Sequence, residues 1–122
     1  MSKIKLSIIS FLLFFLFSFT SEALRFINGL EDIPVYKKME YVEDSLILFD
    51  KIEGRYVSVE ITGNYDENKV LKFYKKILPN LGWKENKPLS FNRNKETLEI
   101  KSKREKGKAY IKFNLFPLEI NQ

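Results

Sequence analysis

Residues 66–83 read DENKVLKFYKKILPNLGW, and this segment establishes what kind of fold the chain adopts. Its apolar residues recur every three or four positions, as they do along one face of an amphipathic helix. They are Val70, Leu71, Tyr74, Ile77, Leu78 and Leu81. Asp66 is a favourable N-cap, and Gly82 follows at the position where glycine ends many helices. We therefore expect one helix from about Glu67 to Leu81, although Pro79 removes a hydrogen bond near its end.

The regions on either side of this helix predict β-strands. Before it, the apolar run 45–50 is typical of a buried strand and the alternating residues 55–62 of a half-buried one, with Gly54 in the turn between them. After it, the expected strands are 83–86, which is short, 90–93, 97–103 and 108–116. The predicted fold class is α+β. It is an antiparallel sheet of about five short strands, in the order β-β-α-β-β-β, with the helix packed on one face.

The N-terminus predicts export. Lys3 and Lys5 precede an apolar run at residues 6–19, and Ser21-Glu22-Ala23 has the small-x-small pattern of a cleavage site. As a helix, the apolar run would be about 21 Å long, which is short of the ~30 Å hydrocarbon core of a bilayer. We therefore expect residues 1–23 to be a cleaved signal peptide. The alternative is that residues 6–19 are retained as a membrane anchor.

The remainder of the chain predicts one small domain. Residues 24–44 show little periodicity and are expected to form an extended N-terminal segment, with Ile33, Val35 and Tyr36 as its anchors on the domain. Residues 45–122 are expected to form a single small α+β domain. The chain contains no cysteine, so we expect packing alone, without disulfides, to stabilise it.

The residue types present argue against catalysis. Histidine and cysteine are both absent, which removes the commonest general base, the commonest metal ligand and the thiol nucleophile. The acidic residues Glu43, Asp44, Asp50 and Glu53 do not have the spacing of a calcium-binding loop. We therefore expect no cofactor and no catalytic residue. An enzyme is the least favoured class of function.

The C-terminal half carries most of the positive charge. Residues 24–67 contain 5 basic and 10 acidic residues, whereas residues 68–122 contain 14 basic and 5 acidic ones. If Leu98 and Ile100 point inward in the predicted hairpin, alternation places a basic patch on the outward face. The candidate residues are Lys101, Lys103, Arg104, Lys106, Lys108, Tyr110 and Lys112. Such a patch binds an anionic surface or only keeps an exposed sheet soluble, and the sequence alone leaves both interpretations open.

Several short segments resemble a family of small uncharacterised exported proteins of alphaproteobacteria. The most specific is the Tyr-x-x-x-Leu-Pro-x-Leu-Gly-Trp segment from Tyr74 to Trp83, and Phe49-Asp50, Glu53-Gly54-Arg55 and Phe91-x-Arg93 accompany it. The resemblance covers residues 49–116. It implies a Gram-negative envelope setting, and it implies no activity and no functional residues.

Together these features predict a non-enzymatic binding or structural module of the bacterial envelope. The expected location is the periplasm of a Gram-negative bacterium. The expected partner is an anionic envelope component or another envelope protein, and export argues against nucleic acid. The alternative is a signal-anchored accessory subunit of an inner-membrane complex.

Overall fold

The computed structural model of the protein describes residues 24–119, so the predicted signal peptide lies outside the described residues. Within this range the chain forms one helix and nine strands. The strands that precede the helix are β1 (Phe26–Ile27), β2 (Leu30–Pro34), β3 (Glu40–Tyr41), β4 (Ile47–Lys51) and β5 (Gly54–Gly63). Helix α1 (Glu67–Asn80) follows, and then β6 (Lys84–Lys87), β7 (Ser90–Arg93), β8 (Glu96–Glu105) and β9 (Lys108–Pro117).

The α+β class is confirmed, but the strand count is not. The nine strands of the described residues form two sheets, whereas about five strands were expected. β1 and β2 form a separate hairpin, and the large sheet has the order β3-β5-β9-β8-β7-β6, with β4 also paired to β5. The paired strands are antiparallel. The expectation missed β1, β2 and β3 because strands of two to five residues are too short to show clear alternation.

The helix begins and ends close to the predicted residues. The side chain of Asp66 accepts a backbone N–H of the first turn at 2.9 Å. At the other end Gly82 has a φ of +91°, and the N–H of Trp83 donates to the carbonyl of Leu78 at 3.1 Å. Pro79 removes the hydrogen bond to the carbonyl of Lys75, and the helix ends one residue later, at Asn80. No helix among residues 24–119 has the length and apolarity needed to cross a membrane.

The core lies between one face of the large sheet and a layer formed by α1 and the β1–β2 hairpin. The helix contributes Val70, Tyr74 and Leu78, each fully buried. The sheet contributes alternate residues of β5, β8 and β9, which include Leu98 and Ile100, both predicted to point inward. The others are Val57, Val59, Ile61, Ala109, Ile111, Phe113 and Leu115. The N-terminal segment contributes Ile27, Leu30, Ile33, Val35, Tyr36 and Met39 to the same core. Residues 24–39 therefore supply core side chains.

One strand is exposed where the sequence predicted burial. The apolar run 45–50 corresponds to β4, and the side chains of all five β4 residues are exposed. β4 pairs with β5 through Leu48 and Val57, among other pairs, at the margin of the sheet. A short apolar run is typical of a buried strand, but the run itself does not show whether a second layer covers it. Here the run lies on an edge strand, and the prediction that it is buried is wrong.

Candidate binding face of the sheet

The large sheet has one covered face and one uncovered face. α1 and the β1–β2 hairpin pack on the covered face, and the opposite face is lined by the alternate residues of β4, β5, β9 and β8. We call this second surface the open face. The register places Ser58 opposite Asn114, Glu60 opposite Lys112, and Lys112 opposite Lys101 along it. Side chains from four neighbouring strands therefore lie side by side on the open face.

An apolar cleft of about 390 Å³ occupies one end of the open face. We call it the aromatic cleft. Its apolar walls come from Ile47 and Phe49 of β4, Tyr56 of β5 and Phe116 of β9. The rings of Phe49 and Tyr56 are stacked, with centroids 4.9 Å apart and planes 6° from parallel. The residues that also line the cleft are Val57, Ser58, Glu99, Asn114 and Leu115.

Five of the seven predicted basic-patch residues meet at the other end of the open face. They are Lys101, Lys103, Lys108, Tyr110 and Lys112, and we call them the lysine patch. Alternation along β9 brings the patch directly to the cleft, because Lys112, Asn114 and Phe116 are successive residues of the same face. Each such two-residue step along a strand covers about 7 Å.

The other two predicted residues lie apart from the lysine patch. Lys106 occupies the turn between β8 and β9 with a φ of +51°. Arg104 pairs with Ala109, which is buried on the covered face. Its guanidinium donates to the carbonyl of Tyr65 at 2.8 Å and lies 3.7 Å from the carboxylate of Glu67. Arg104 therefore connects the hairpin to the start of α1.

The lysine patch is only partly neutralised. Lys103 forms a salt bridge of 3.4 Å with Glu105, and its ammonium lies 5.3 Å from the centroid of the Tyr110 ring. Lys101 and Lys112 are directly opposite each other across β8 and β9. Neither forms a salt bridge with a residue in the range 24–119. Like charges directly opposite each other destabilise a sheet, and Glu60, which faces Lys112 from β5, offsets part of this repulsion.

The groups with shifted pKa values stabilise the fold and do not line the aromatic cleft. Burial raises the pKa of the Tyr74 hydroxyl above its ordinary value. Hydrogen bonding to Glu96, with Nε to Oε2 at 2.9 Å, raises the pKa of the Arg55 guanidinium. In the described range, no group of three or more acidic side chains is arranged to hold a metal ion.

The aromatic cleft was not predicted from the sequence, although the sequence did indicate the outward direction of two of its aromatic side chains. Alternation in β5 already placed Tyr56 outward, and the same rule applied to β9 places Phe116 outward. Phe49 was assigned to a buried strand, so the stacking of Phe49 on Tyr56 could not be anticipated. The cleft depends on the register of β4 against β5, in which Phe49 pairs with Tyr56.

Comparisons with protein-family models, with curated proteins and with solved structures gave no match to this chain.

Proposed function

We propose that the protein is an exported, non-enzymatic binding module of the Gram-negative envelope that docks with its open face on an anionic membrane surface. The observation that supports this proposal is the position of the lysine patch beside the aromatic cleft on one uncovered sheet face. Lipid head groups present negative charge, and the region beneath them is apolar. A surface with lysines next to partly exposed aromatic rings matches both.

The lysine patch and the aromatic cleft each contribute to the free energy of membrane binding. A basic residue close to an anionic membrane contributes about 1 kcal/mol, and this contribution decreases with salt. Four lysines on one face give at most about 4 kcal/mol at low ionic strength, and Glu60, Glu99 and Glu105 on the same face reduce this figure. Burial of apolar surface from Phe49, Tyr56 and Phe116 adds a term that salt does not screen.

Protection against aggregation explains only part of the lysine patch. Lysines that guard a sheet are found mainly on its edge strands. Lys108 and Lys112 lie on β9, which is an interior strand between β5 and β8. Lys101 and Lys103 lie on the part of β8 that extends beyond β7, because β7 pairs only with Glu96–Glu99. Lys101 and Lys112 are also directly opposed and repel each other, although Glu60 faces Lys112 from the other side. Both features are accounted for if the face binds an anion.

The test is co-sedimentation with lipid vesicles of the protein purified after export from bacterial cells. Vesicles that contain phosphatidylglycerol should carry the protein down at low ionic strength, vesicles of phosphatidylcholine alone should not, and salt should weaken binding. The triple variant Lys101→Glu, Lys103→Glu, Lys112→Glu should lose the binding while its circular dichroism remains that of the folded protein.

A matched control is available on the helix. The variant Lys69→Glu, Lys72→Glu, Lys76→Glu has the same change in net charge, and these exposed lysines lie on α1, away from the open face. It should bind anionic vesicles much more strongly than the patch variant. Equal loss in the two variants would show that only net charge matters. No binding by the wild type at low ionic strength would disprove membrane docking.

The export part of the proposal rests on residues 1–23 and has its own test. N-terminal sequencing of the protein from the envelope of its host should find Leu24 as the first residue, because Ser21 and Ala23 have the pattern of a signal-peptidase site. An N-terminus at Met1 or Ser2 would instead support the retained anchor.

A further inference from the structure

Strand β4 leaves one edge of the large sheet unpaired within the described part of the chain. Its one strand partner there is β5, and β3 occupies the other end of β5. The exposed apolar side chains of this region are Leu46, Ile47, Leu48 and Phe49. Ile47 and Leu48 expose 56% and 57% of their surface. An uncovered apolar edge of this kind is a template for pairing with another strand.

The opposite edge of the same sheet is protected. β6 reads Lys84-Glu85-Asn86-Lys87, and all four side chains are exposed. Charged residues on an edge strand disfavour pairing, because association would bring them against apolar or like-charged side chains. A chain of molecules in which β4 of one copy pairs with β6 of the next is therefore disfavoured. Pairing of β4 with another β4 avoids this conflict and gives a closed two-fold dimer.

We infer that two copies of this chain form a dimer through antiparallel pairing of β4 with β4, which joins their sheets into one. Residues 52 and 53 form a two-residue turn closed by Lys51 and Gly54. Counting from this turn, hydrogen-bonded and non-hydrogen-bonded pairs alternate, and the pair Leu48–Val57 is a non-hydrogen-bonded one. Leu48 therefore directs its backbone N–H and carbonyl away from β5. Those two groups are available to a second copy.

The side chains favour one register. When Leu48 lies opposite Leu48 of the second copy, Ile47 lies opposite Phe49 of that copy, and apolar residues meet at the centre. A shift by two residues in one direction places Asp44 opposite Asp50. A shift in the other direction places Leu48 opposite Asp50. The central register avoids both of these pairings and places Asp50 opposite Leu46, away from its centre.

The dimer also affects the open face. The two-fold axis of such a pair runs perpendicular to the sheet, so both open faces lie on the same side of the dimer. Ile47 and Phe49 line the aromatic cleft, and the two clefts therefore adjoin across the dimer axis. Two lysine patches would meet one membrane together, which raises avidity without any new contact. The dimer itself does not depend on membrane docking.

The first test measures mass by sedimentation equilibrium on the protein purified after export, without lipid. We expect the mass to rise from monomer to dimer as the concentration increases through the micromolar range. Leu48→Lys should weaken the dimer about tenfold or more, because it places charge at the centre of the interface. Ile52→Lys, in the fully exposed turn outside the paired residues, should retain it.

The second test uses the absence of cysteine from the chain. In Leu48→Cys the two introduced thiols face each other, with Cα atoms about 5.5 Å apart, which a disulfide can span. Oxidation should give a covalent dimer much faster than it does in Ile52→Cys. A wild type that remains monomeric, a dimer unaffected by Leu48→Lys, or equal crosslinking in the two cysteine variants would disprove β4 pairing. If a monomeric wild type still binds vesicles, the dimer is disproved and membrane docking is not.

Discussion

The Tyr74 hydroxyl joins the helix to the N-terminal segment. It accepts the backbone N–H of Tyr36 at 3.0 Å and donates to the carbonyl of Pro34 at 2.9 Å. Both hydrogen bonds are buried, and the Tyr74 ring packs edge-on against Phe113 with centroids 5.0 Å apart. A single side chain on α1 thus contacts the end of β2 and the central strand β9.

Tyr74→Phe should destabilise the protein although it preserves the ring. The change leaves the N–H of Tyr36 and the carbonyl of Pro34 buried without a partner, and each such group costs about 1–3 kcal/mol. Tyr65→Phe is the control, because the hydroxyl of Tyr65 accepts one exposed N–H, from Lys38 at 3.2 Å. Urea unfolding should give a clearly larger loss for Tyr74→Phe. Equal losses would contradict the role of the buried pair.

Tyr74 should also make stability fall at high pH. Burial raises the pKa of its hydroxyl above the ordinary 10.0, so the folded protein keeps a proton that the unfolded chain releases. This contribution is fully present below pH 10, and above it the free energy of unfolding falls by up to about 1.4 kcal/mol per pH unit. Urea unfolding between about pH 9 and about pH 11 should show a shallower fall in Tyr74→Phe. Parallel curves for the two proteins would exclude the effect.

At the scale of the elements, the end of α1 determines how the chain reaches β6. The N–H of Gly82 donates to the carbonyl of Pro79 at 3.1 Å, and the N–H of Trp83 reaches the carbonyl of Leu78. This paired arrangement is a Schellman motif, and it requires the left-handed conformation that Gly82 adopts. Trp83 is buried directly after it, and the Arg93 guanidinium lies 4.3 Å from the centroid of the Trp83 ring.

Gly82→Val should therefore cost more than about 1 kcal/mol, because a β-branched residue is disfavoured at a φ of +91°. An added Cβ would also lie 3.3 Å from Cδ of Arg93. Gly82→Asn is the matched variant, since asparagine tolerates the left-handed region, and it should retain more stability. Melting curves that rank the two variants in the opposite order would show that the left-handed conformation at Gly82 does not determine the loss of stability.

At the scale of the whole molecule, the described residues form one core built from three parts of the chain. The hydrophobic cluster includes Ile33 from the N-terminal segment, Leu78 from the helix and Phe113 from the sheet. Polar contacts join the same parts at the surface. Arg93 of β7 forms an ion pair with Asp32 of β2.

Ile33→Ala and Leu78→Ala should therefore have comparable effects. Each removes a fully buried side chain, and such truncations cost about 2–5 kcal/mol. Both variants should unfold in a single transition by near-ultraviolet and far-ultraviolet circular dichroism, because they share one core. Ile52→Ala, at a fully exposed position, should change stability by less than about 0.5 kcal/mol. Unchanged melting of Ile33→Ala would mean that the N-terminal segment is only peripheral.

Some of this structure could be predicted from the sequence by itself, because it depends on local periodicity. The helix from Glu67, its N-cap at Asp66 and its terminal Gly82 follow from spacing and residue type. Alternation predicts the inward residues of β8 and β9. Buried residues such as Leu98 and Ile100 in β8, or Ile111 and Phe113 in β9, are two positions apart. Alternation also brings most of the predicted basic patch onto one face.

The tertiary structure alone decided which surfaces are covered. An apolar run looks the same in a buried strand and on an exposed edge, so the exposure of Leu48 follows only from its place at the margin of the sheet. The stacking of Phe49 on Tyr56 depends on a cross-strand register that local periodicity does not specify. Arg104 points toward α1 because the helix begins beside the hairpin. Long-range contacts decide which face of the sheet is covered, in which register the strands pair and which distant segments meet. The open face and the unpaired β4 edge are results of these contacts.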